Sequence, residues 1–330
     1  MENTAKRSVI CTILFLLAVL LFTGCSMKKT ETPADSSAYQ VTDAFGHTVT
    51  LPHKPRRILG TSSSIDTMLL GVVEPDRLVA CFTADKDPAI SYISEETKNI
   101  SLTMPLNGLS MEILTQAAPD LIVASSYTKP KELELWRNLG YPVIQIDGPK
   151  SLDQVKQDIE IIAAAAGEKE RGEKVIAEMD RQLAEIDAVL GQRTDKIPKA
   201  FLVTQMSRYG GPGSMYHELL TRARIRNAIG EAGVSNGQLL AQELVVKSDP
   251  DFFIVSSDRK SDETGAGKFR NEFFQNPAVQ NMRAAQNIKT LDDRYIYAAS
   301  QNCVYAIKAM ANAAYGHLFD MTEEKQIKGY

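Results

Sequence analysis

Apolar and polar positions follow two different periods along the chain. Short apolar runs at residues 58–60, 121–124 and 252–255 have the length of buried strands, whereas longer stretches with apolar positions three or four residues apart predict helices. The two patterns alternate from about residue 58 onward. This alternation is typical of α/β layers built on a parallel sheet, whose strands are buried on both faces.

The first units of this pattern can be bounded from the sequence. Residues 40–51 alternate around Phe45-Gly46-His47 and predict a hairpin. Residues 62–71 predict a helix, and residues 78–82 predict a second buried strand.

A long helical tract follows the first α/β unit. Gly167 is expected to end one helix, and apolar residues then recur at three- or four-residue spacing over residues 168–190. That second helix would be roughly 30 Å long at about 1.5 Å per residue. It could therefore connect two lobes, and a new strand pattern begins at residues 199–203.

One local unit occurs twice. Residues 112–126 and 243–257 both begin with Glu, continue through six residues to Pro-Asp, and then enter an apolar run that ends in Ser-Ser. In each copy we expect a helix that stops before the proline, because that position disfavours helical backbone, followed by a buried strand. Two copies at this separation indicate two similar lobes rather than a solenoid, whose periods are much shorter.

The N-terminus has the order of a secretory signal. A short basic start precedes an apolar run over residues 9–22, and small residues then lead to Cys25. The run is shorter than the roughly 20 residues that a membrane span needs. The segment resembles a bacterial lipobox, which implies removal of residues 1–24 and a lipid on Cys25. Residues 25–38 contain little that could pack and predict a flexible tether.

Composition narrows the class of protein further. The chain has 330 residues, enough for about two domains, and a formal net charge of −4, which argues against a nucleic-acid partner. Apart from Cys11 and Cys25, the cysteines are Cys81 and Cys303, which we expect to be buried free thiols. None of the four histidines stands at metal-ligand spacing from another ligand, so no bare-metal site is expected.

Together these features resemble the receptors of ABC importers for ferric siderophores, haem and cobalamin. The resemblance extends over about residues 41–319 and includes Thr-Asp-Ala-Phe-Gly at 42–46, both Glu-x6-Pro-Asp units, the linking helix, and a glycine-rich turn at 210–214. Asp66 stands where the family usually has Glu, and residues 292–294 replace an expected glycine turn. The resemblance implies two Rossmann-like lobes with parallel sheets, joined by a long rigid helix, with a ligand cleft between them.

The resemblance also implies a domain plan and a location. The N-terminal lobe is expected over residues 39–150, the helical segment over 151–195, and the C-terminal lobe over 196–330. The protein would be a monomer, anchored by lipid on the outer side of the membrane, either at a cell surface or in a periplasm.

Glu112 and Glu243 are the predicted docking residues for the permease. In the resembling family, one glutamate on each lobe pairs with permease arginines, and such pairs can be bidentate and directional. The alternative is structural, since a carboxylate in the first turn of a helix is favoured by the helix dipole.

Ligand-binding residues are expected at the carboxyl ends of the parallel strands, where ligands bind in open α/β sheets. Arginine and tyrosine donors there would suit an anionic ligand, although a solvated loop charge is the alternative for each arginine. The candidates are Ser126 and Tyr127 in the first lobe, Asn107 on a loop, and Arg208, Tyr209 and Arg259 in the second lobe.

The sequence leaves several functions open. A ferric siderophore is the favoured ligand, with haem or cobalamin as alternatives, and no covalent cofactor beyond the lipid anchor is expected. A ligand-sensing surface receptor could use the same two lobes. An enzyme is disfavoured, because the glycine-rich turn at 209–214 lacks the Gly-Lys-Ser/Thr ending of a phosphate-binding loop.

Overall fold

A computed structural model describes residues 38–105, 108–257 and 265–330. Its first element is the predicted hairpin, in which β1 (Tyr39–Thr42) pairs antiparallel with β2 (Thr48–Leu51). Gly46 turns the chain with a φ of 82°. The Asp43 carboxylate accepts two backbone N–H groups of the turn, each at 2.9 Å.

The first lobe contains two small parallel sheets. The larger has the order β3 (Ile58–Gly60), β6 (Leu121–Ser125), β7 (Val143–Ile146). The smaller pairs β4 (Cys81–Phe82) with β5 (Thr103–Met104). The strand predicted over residues 78–82 is therefore shorter than expected.

The central strand of the first lobe is buried on both faces. Leu121 and Val123 belong to the main hydrophobic core, whereas Ile122 and Ala124 belong to a second core on the opposite face. This division follows from the two-residue period of a strand. It explains why the sequence here is a continuous apolar run.

The second lobe has one parallel sheet with the order β11 (Ile288–Leu291), β10 (Phe252–Ser256), β8 (Lys199–Val203), β9 (Arg226–Asn227). Its central strands β8 and β10 are almost entirely buried. Both lobes therefore have the parallel α/β layers that the sequence predicts.

Helices cover the sheets and connect the lobes. The α-helices of the described residues are α1 (Ser63–Val72), α2 (Ser94–Thr97), α3 (Met111–Ala117), α4 (Pro130–Asn138), α5 (Leu152–Ala166), α6 (Lys169–Gly191), α7 (Met215–Arg222), α8 (Ala228–Glu231), α9 (Gln242–Ser248), α10 (Gly265–Gln275), α11 (Pro277–Gln280), α12 (Asp293–Ile296) and α13 (Cys303–Tyr315). Short 3₁₀ helices occur at Pro75–Arg77, Thr83–Lys86 and Arg283–Gln286. No helix in this part of the chain is long and apolar enough to cross a membrane.

The long linking helix is confirmed. Gly167 ends α5 in the left-handed conformation, with a φ of 71°, and α6 begins two residues later. The apolar stripe of α6 includes Val175, Met179 and Ile186, which are fully buried in the main core. That core contains residues of both lobes and of the helices between them, so the lobes are not independent hydrophobic units.

The repeated Pro-Asp unit has the same local structure in both lobes. Ala118 and Asp249, each just before the proline, both adopt a positive φ, 40° and 39°, which ends helices α3 and α9. The following aspartates then hold the neighbouring strand. Asp120 accepts the backbone N–H of Arg57 at 2.8 Å, and Asp251 accepts that of Lys199 at 2.9 Å. The motif therefore locks two parallel strands together where they begin.

The chain returns to the first lobe before it ends. The Thr67 carbonyl of α1 accepts the side-chain amides of Gln301 at 2.8 Å and Gln326 at 2.7 Å. Farther along, the Gly329 N–H donates to the Gly71 carbonyl at 2.9 Å. The last residues of the second lobe therefore lie along α1 of the first.

The buried carboxylate of Glu324 adds a further contact between the lobes. We call this contact, together with the hydrogen bonds to the Thr67 carbonyl, the inter-lobe joint. Glu324 accepts the hydroxyl of Tyr92, from the first lobe, at 2.9 Å and that of Tyr295, from the second, at 2.8 Å. Arg294 lies 5.0 Å above the Tyr92 ring, and Tyr92 also packs against Tyr305 of α13. Burial and the bond to Glu324 raise the pKa of Tyr295 to about 12, so the hydroxyl remains a donor at neutral pH.

We expect Glu324→Ala to lower the free energy of unfolding by about 2 kcal/mol, because it leaves two largely buried tyrosine hydroxyls without their acceptor. Glu323 is exposed, and Glu323→Ala is the matched control that should change stability little. Urea unfolding measures both. Equal effects of the two substitutions would contradict the role given to Glu324.

Candidate functional site

A cavity of about 670 Å³ lies where loops from the two lobes face each other. The first lobe contributes the segments that follow β3, β6 and β7, and the second contributes the segment that follows β8. This is the location where parallel α/β sheets bind ligands. The volume is in the usual range for small-molecule sites.

Tyr127 lies on the first-lobe wall of the cavity. It is the second residue after β6, is 74% exposed, and lines the cavity. The ring packs over Gly148, where an added Cβ would lie 2.8 Å from the ring. Gly148 also has a φ of 81°, so a larger residue there would be strained and would displace the tyrosine.

Arg208 is held in place on the second-lobe wall. Its carbonyl accepts the Gly237 N–H at 2.7 Å, and its Nη1 donates to the Gly237 carbonyl at 2.8 Å. A guanidinium has five N–H donors, so this bond orients the group while most of its donors remain for a ligand. Exposed Met206 lies on the same segment and also lines the cavity.

Tyr209 lines the cavity with its ring rather than its hydroxyl. The hydroxyl donates to the Ile296 carbonyl at 3.4 Å, and burial raises its pKa. The ring lies 5.7 Å from that of Tyr297, which also lines the cavity and pairs with Thr204 at 3.0 Å. Sequence reasoning missed Tyr297, because it follows a short helix rather than a strand.

The other predicted ligand residues have different outcomes. The Ser126 hydroxyl donates to the Asp147 carbonyl, and Ser126 is not among the residues that line the cavity, whereas Ser125 is. Asn107 and Arg259 lie outside the described residues. The structure therefore brings Tyr127, Arg208 and Tyr209 together.

Lys150 is a cavity residue that the sequence analysis did not select. It follows β7 in the segment that also contains Gly148. The signal was available, because β7 is a parallel strand whose carboxyl end should face the cleft.

Metal-ligating side chains and thiols can be located in the part of the chain that the structure describes. No cluster of His, Cys, Asp and Glu there could hold a metal ion. Cys81 and Cys303 are buried free thiols, as predicted, and burial raises the pKa of each to about 12. Both thiols are therefore protonated at neutral pH and poor nucleophiles.

The two predicted docking glutamates occupy equivalent places in the lobes. Glu112 lies in the first turn of α3 and Glu243 in the first turn of α9, and both are exposed. Ser110 caps α3 by accepting the Ile113 N–H at 3.2 Å. Their use as docking residues stays a prediction.

Asp158 lies beneath the loop that follows β7. It belongs to α5, is 2% exposed, and receives a backbone hydrogen bond from Asp147. Burial raises the pKa of Asp158 to about 7, although that hydrogen bond opposes the rise. Between pH 4 and pH 7 the folded state therefore holds more protons than the unfolded state, and stability falls as pH increases.

We expect Asp158→Asn to remove the loss of folding stability that occurs as pH rises, because asparagine does not ionise. At about 1.4 kcal/mol per pKa unit, the variant should gain roughly 2 kcal/mol over the parent as pH rises from about 5 to about 8. Asp153→Asn, an exposed aspartate on the same helix, serves as the control. Urea unfolding at both pH values measures the effect, and a difference that does not change with pH would contradict it.

Comparisons with known proteins agree with this architecture. The family model described as periplasmic binding protein matches residues 58–295. The probable siderophore-binding lipoprotein YfiY of Bacillus subtilis (strain 168) is 21% identical over 195 residues, which are 58% of this chain and 58% of that relative. The match thus covers less than two thirds of the relative's length.

Solved structures show the same fold. The periplasmic heme-binding protein RhuT from Roseiflexus sp. RS-1, in apo form, has a TM-score of 0.67 at 22% identity, covering 78% of this chain and 99% of that chain. A possible iron-binding protein from Staphylococcus epidermidis has a TM-score of 0.64 at 17% identity, covering 79% and 99%. The family model covers residues 58–295, well over half of this chain, and the chain therefore belongs to the periplasmic binding protein family.

Proposed function

We propose that this protein is the extracytoplasmic receptor of an ABC importer and that it captures a ferric siderophore in the cleft between its lobes. The observation that carries the proposal is the cavity itself, in which Tyr127 from one lobe and Arg208 from the other face one space. Tyrosine and arginine are suitable donors for an anionic iron chelate. The family match and the name of the Bacillus relative support the same ligand class.

The receptor would need no covalent chemistry of its own. The ligand enters the cleft, the lobes move slightly, and the loaded receptor binds the permease. The shared core and the linking helix α6 favour a small hinge motion over a large closure. We propose that a lipid on Cys25 holds the receptor at the membrane, with residues 25–38 as the tether.

Ligand capture can be tested without added ligand on residues 25–330, which we take as the mature chain. The absorption spectrum of protein purified from cells grown in rich medium should show the broad visible band of a ferric chelate. Titration with ferric chelates should then give one site of micromolar affinity or tighter. A haem or corrinoid spectrum would instead favour those ligands, and haem-binding proteins are among the structurally similar proteins.

Tyr127 provides a sharper test of the site. Tyr127→Ala should weaken chelate binding about tenfold, because it removes both the exposed ring and the hydroxyl. Tyr127→Phe keeps the ring over Gly148 and removes only the hydroxyl, so its loss of affinity measures the contribution of the hydroxyl alone. Unchanged affinity in both variants would place the ligand elsewhere.

Docking on the permease is a separate part of the proposal. Charge reversal of Glu112 and Glu243 to Lys should abolish uptake of iron chelate by cells while leaving ligand affinity in solution unchanged, because both lie on the surface rather than in the cavity. Glu173→Lys reverses another exposed glutamate, on the linking helix, and should leave uptake intact. Normal uptake by the double variant would refute the docking role.

A further inference from the structure

The charged residues of the cavity come from opposite lobes. Among the described residues that line it, Lys150 and Arg208 carry charge, and none of the lining side chains is a carboxylate. Lys150 belongs to the first lobe and Arg208 to the second. The cleft is therefore positive on both sides.

Neither cation has a short ion pair within its own lobe, in the part of the chain that the structure describes. Lys150 forms one long ion pair, in which its Nζ lies 4.0 Å from Asp147 Oδ2, and the lysine side chain is 46% exposed. The same Asp147 oxygen also accepts the Gln154 side-chain amide at 3.3 Å, so Lys150 keeps donors for a ligand. The backbone of Lys150 is fixed, because its N–H donates to Gln154 Oε1 at 2.8 Å. The Arg208 guanidinium binds a neutral acceptor, the Gly237 carbonyl.

Two like charges on facing walls have a physical consequence. They repel each other across an empty cleft, and the repulsion grows as the lobes approach. A ligand with negative charge on two edges would reverse the sign of this effect, since each edge would meet one cation. A neutral or cationic ligand would leave the repulsion in place.

We propose that the ligand is a ferric chelate with a net negative charge that is shared between Lys150 and Arg208. This inference rests on the proposed function, because it assumes that the cleft holds an iron chelate, and it adds the pair of cations, one on each lobe, that would select an anionic chelate over a neutral one. Lys150 is then a specificity residue, and the bound anion is what joins the two walls.

Two synthetic iron chelates of similar size separate the possibilities. A ferric tris-catecholate is strongly anionic, whereas a ferric tris-hydroxamate with uncharged arms is neutral. Calorimetric titration of the mature chain should give at least tenfold tighter binding of the anionic chelate, as expected from charge-assisted hydrogen bonds. Its affinity should fall as sodium chloride is raised, since salt screens both cations.

Variants assign the effect to the two residues. Lys150→Gln and Arg208→Gln should each weaken binding of the tris-catecholate about tenfold and change binding of the tris-hydroxamate little. Lys98→Gln is the matched control, since Lys98 is an exposed lysine of the first lobe that does not line the cavity. The double variant should no longer prefer the anionic chelate.

The outcomes distinguish capture of an iron chelate from selection of an anionic one. Binding of neither chelate would overturn the proposed function and this inference with it. Equal binding of both chelates, or equal losses for both in the variants, would overturn the charge selection and leave iron-chelate capture standing.

Discussion

The joint at the C-terminal end of the chain determines how the two lobes face each other. Glu324 binds a tyrosine of each lobe, and the Thr67 carbonyl of α1 receives two amide groups from the second lobe's final segments. These groups are largely buried, so breaking them would leave polar atoms without partners. Together with the linking helix, the joint connects the lobes twice. The cleft can then be a site whose walls are positioned before any ligand arrives, which reduces the ordering cost of binding.

Much of the fold could be predicted from the sequence because its signals are local. The hairpin, the linking helix and the buried strands depend on apolar period and on a few turn residues, and all of them are present. The Pro-Asp repeat predicts equivalent helix ends in two lobes, and the structure contains them. Its aspartates also form hydrogen bonds that the sequence does not predict. Asp120 and Asp251 bind the backbone of a neighbouring strand, an interaction between residues more than fifty positions apart. A pattern within one segment cannot indicate such a partner.

The site could be predicted only in part for the same reason. Strand ends indicated Tyr127 and Arg208, but whether a polar side chain points into the cavity depends on neighbours that are distant in sequence. Ser126 turns away because the Asp147 carbonyl accepts its hydroxyl, and Tyr209 contributes its ring because the Ile296 carbonyl binds its hydroxyl. The role proposed for Lys150 depends on Arg208, which lies on the opposite wall of the cavity. The charge of the cleft depends on residues from both lobes, which are far apart in sequence, so it cannot be predicted from either lobe alone.

The central claim is that the cleft between the lobes holds an iron chelate. Crystals of residues 25–330 grown with a ferric tris-catecholate, with data collected at the iron absorption edge, test it most directly. We predict one anomalous iron peak in the cavity, between the walls that contain Tyr127 and Arg208. An iron peak outside the cavity, or an empty cavity in crystals of a complex that is stoichiometric in solution, would contradict it.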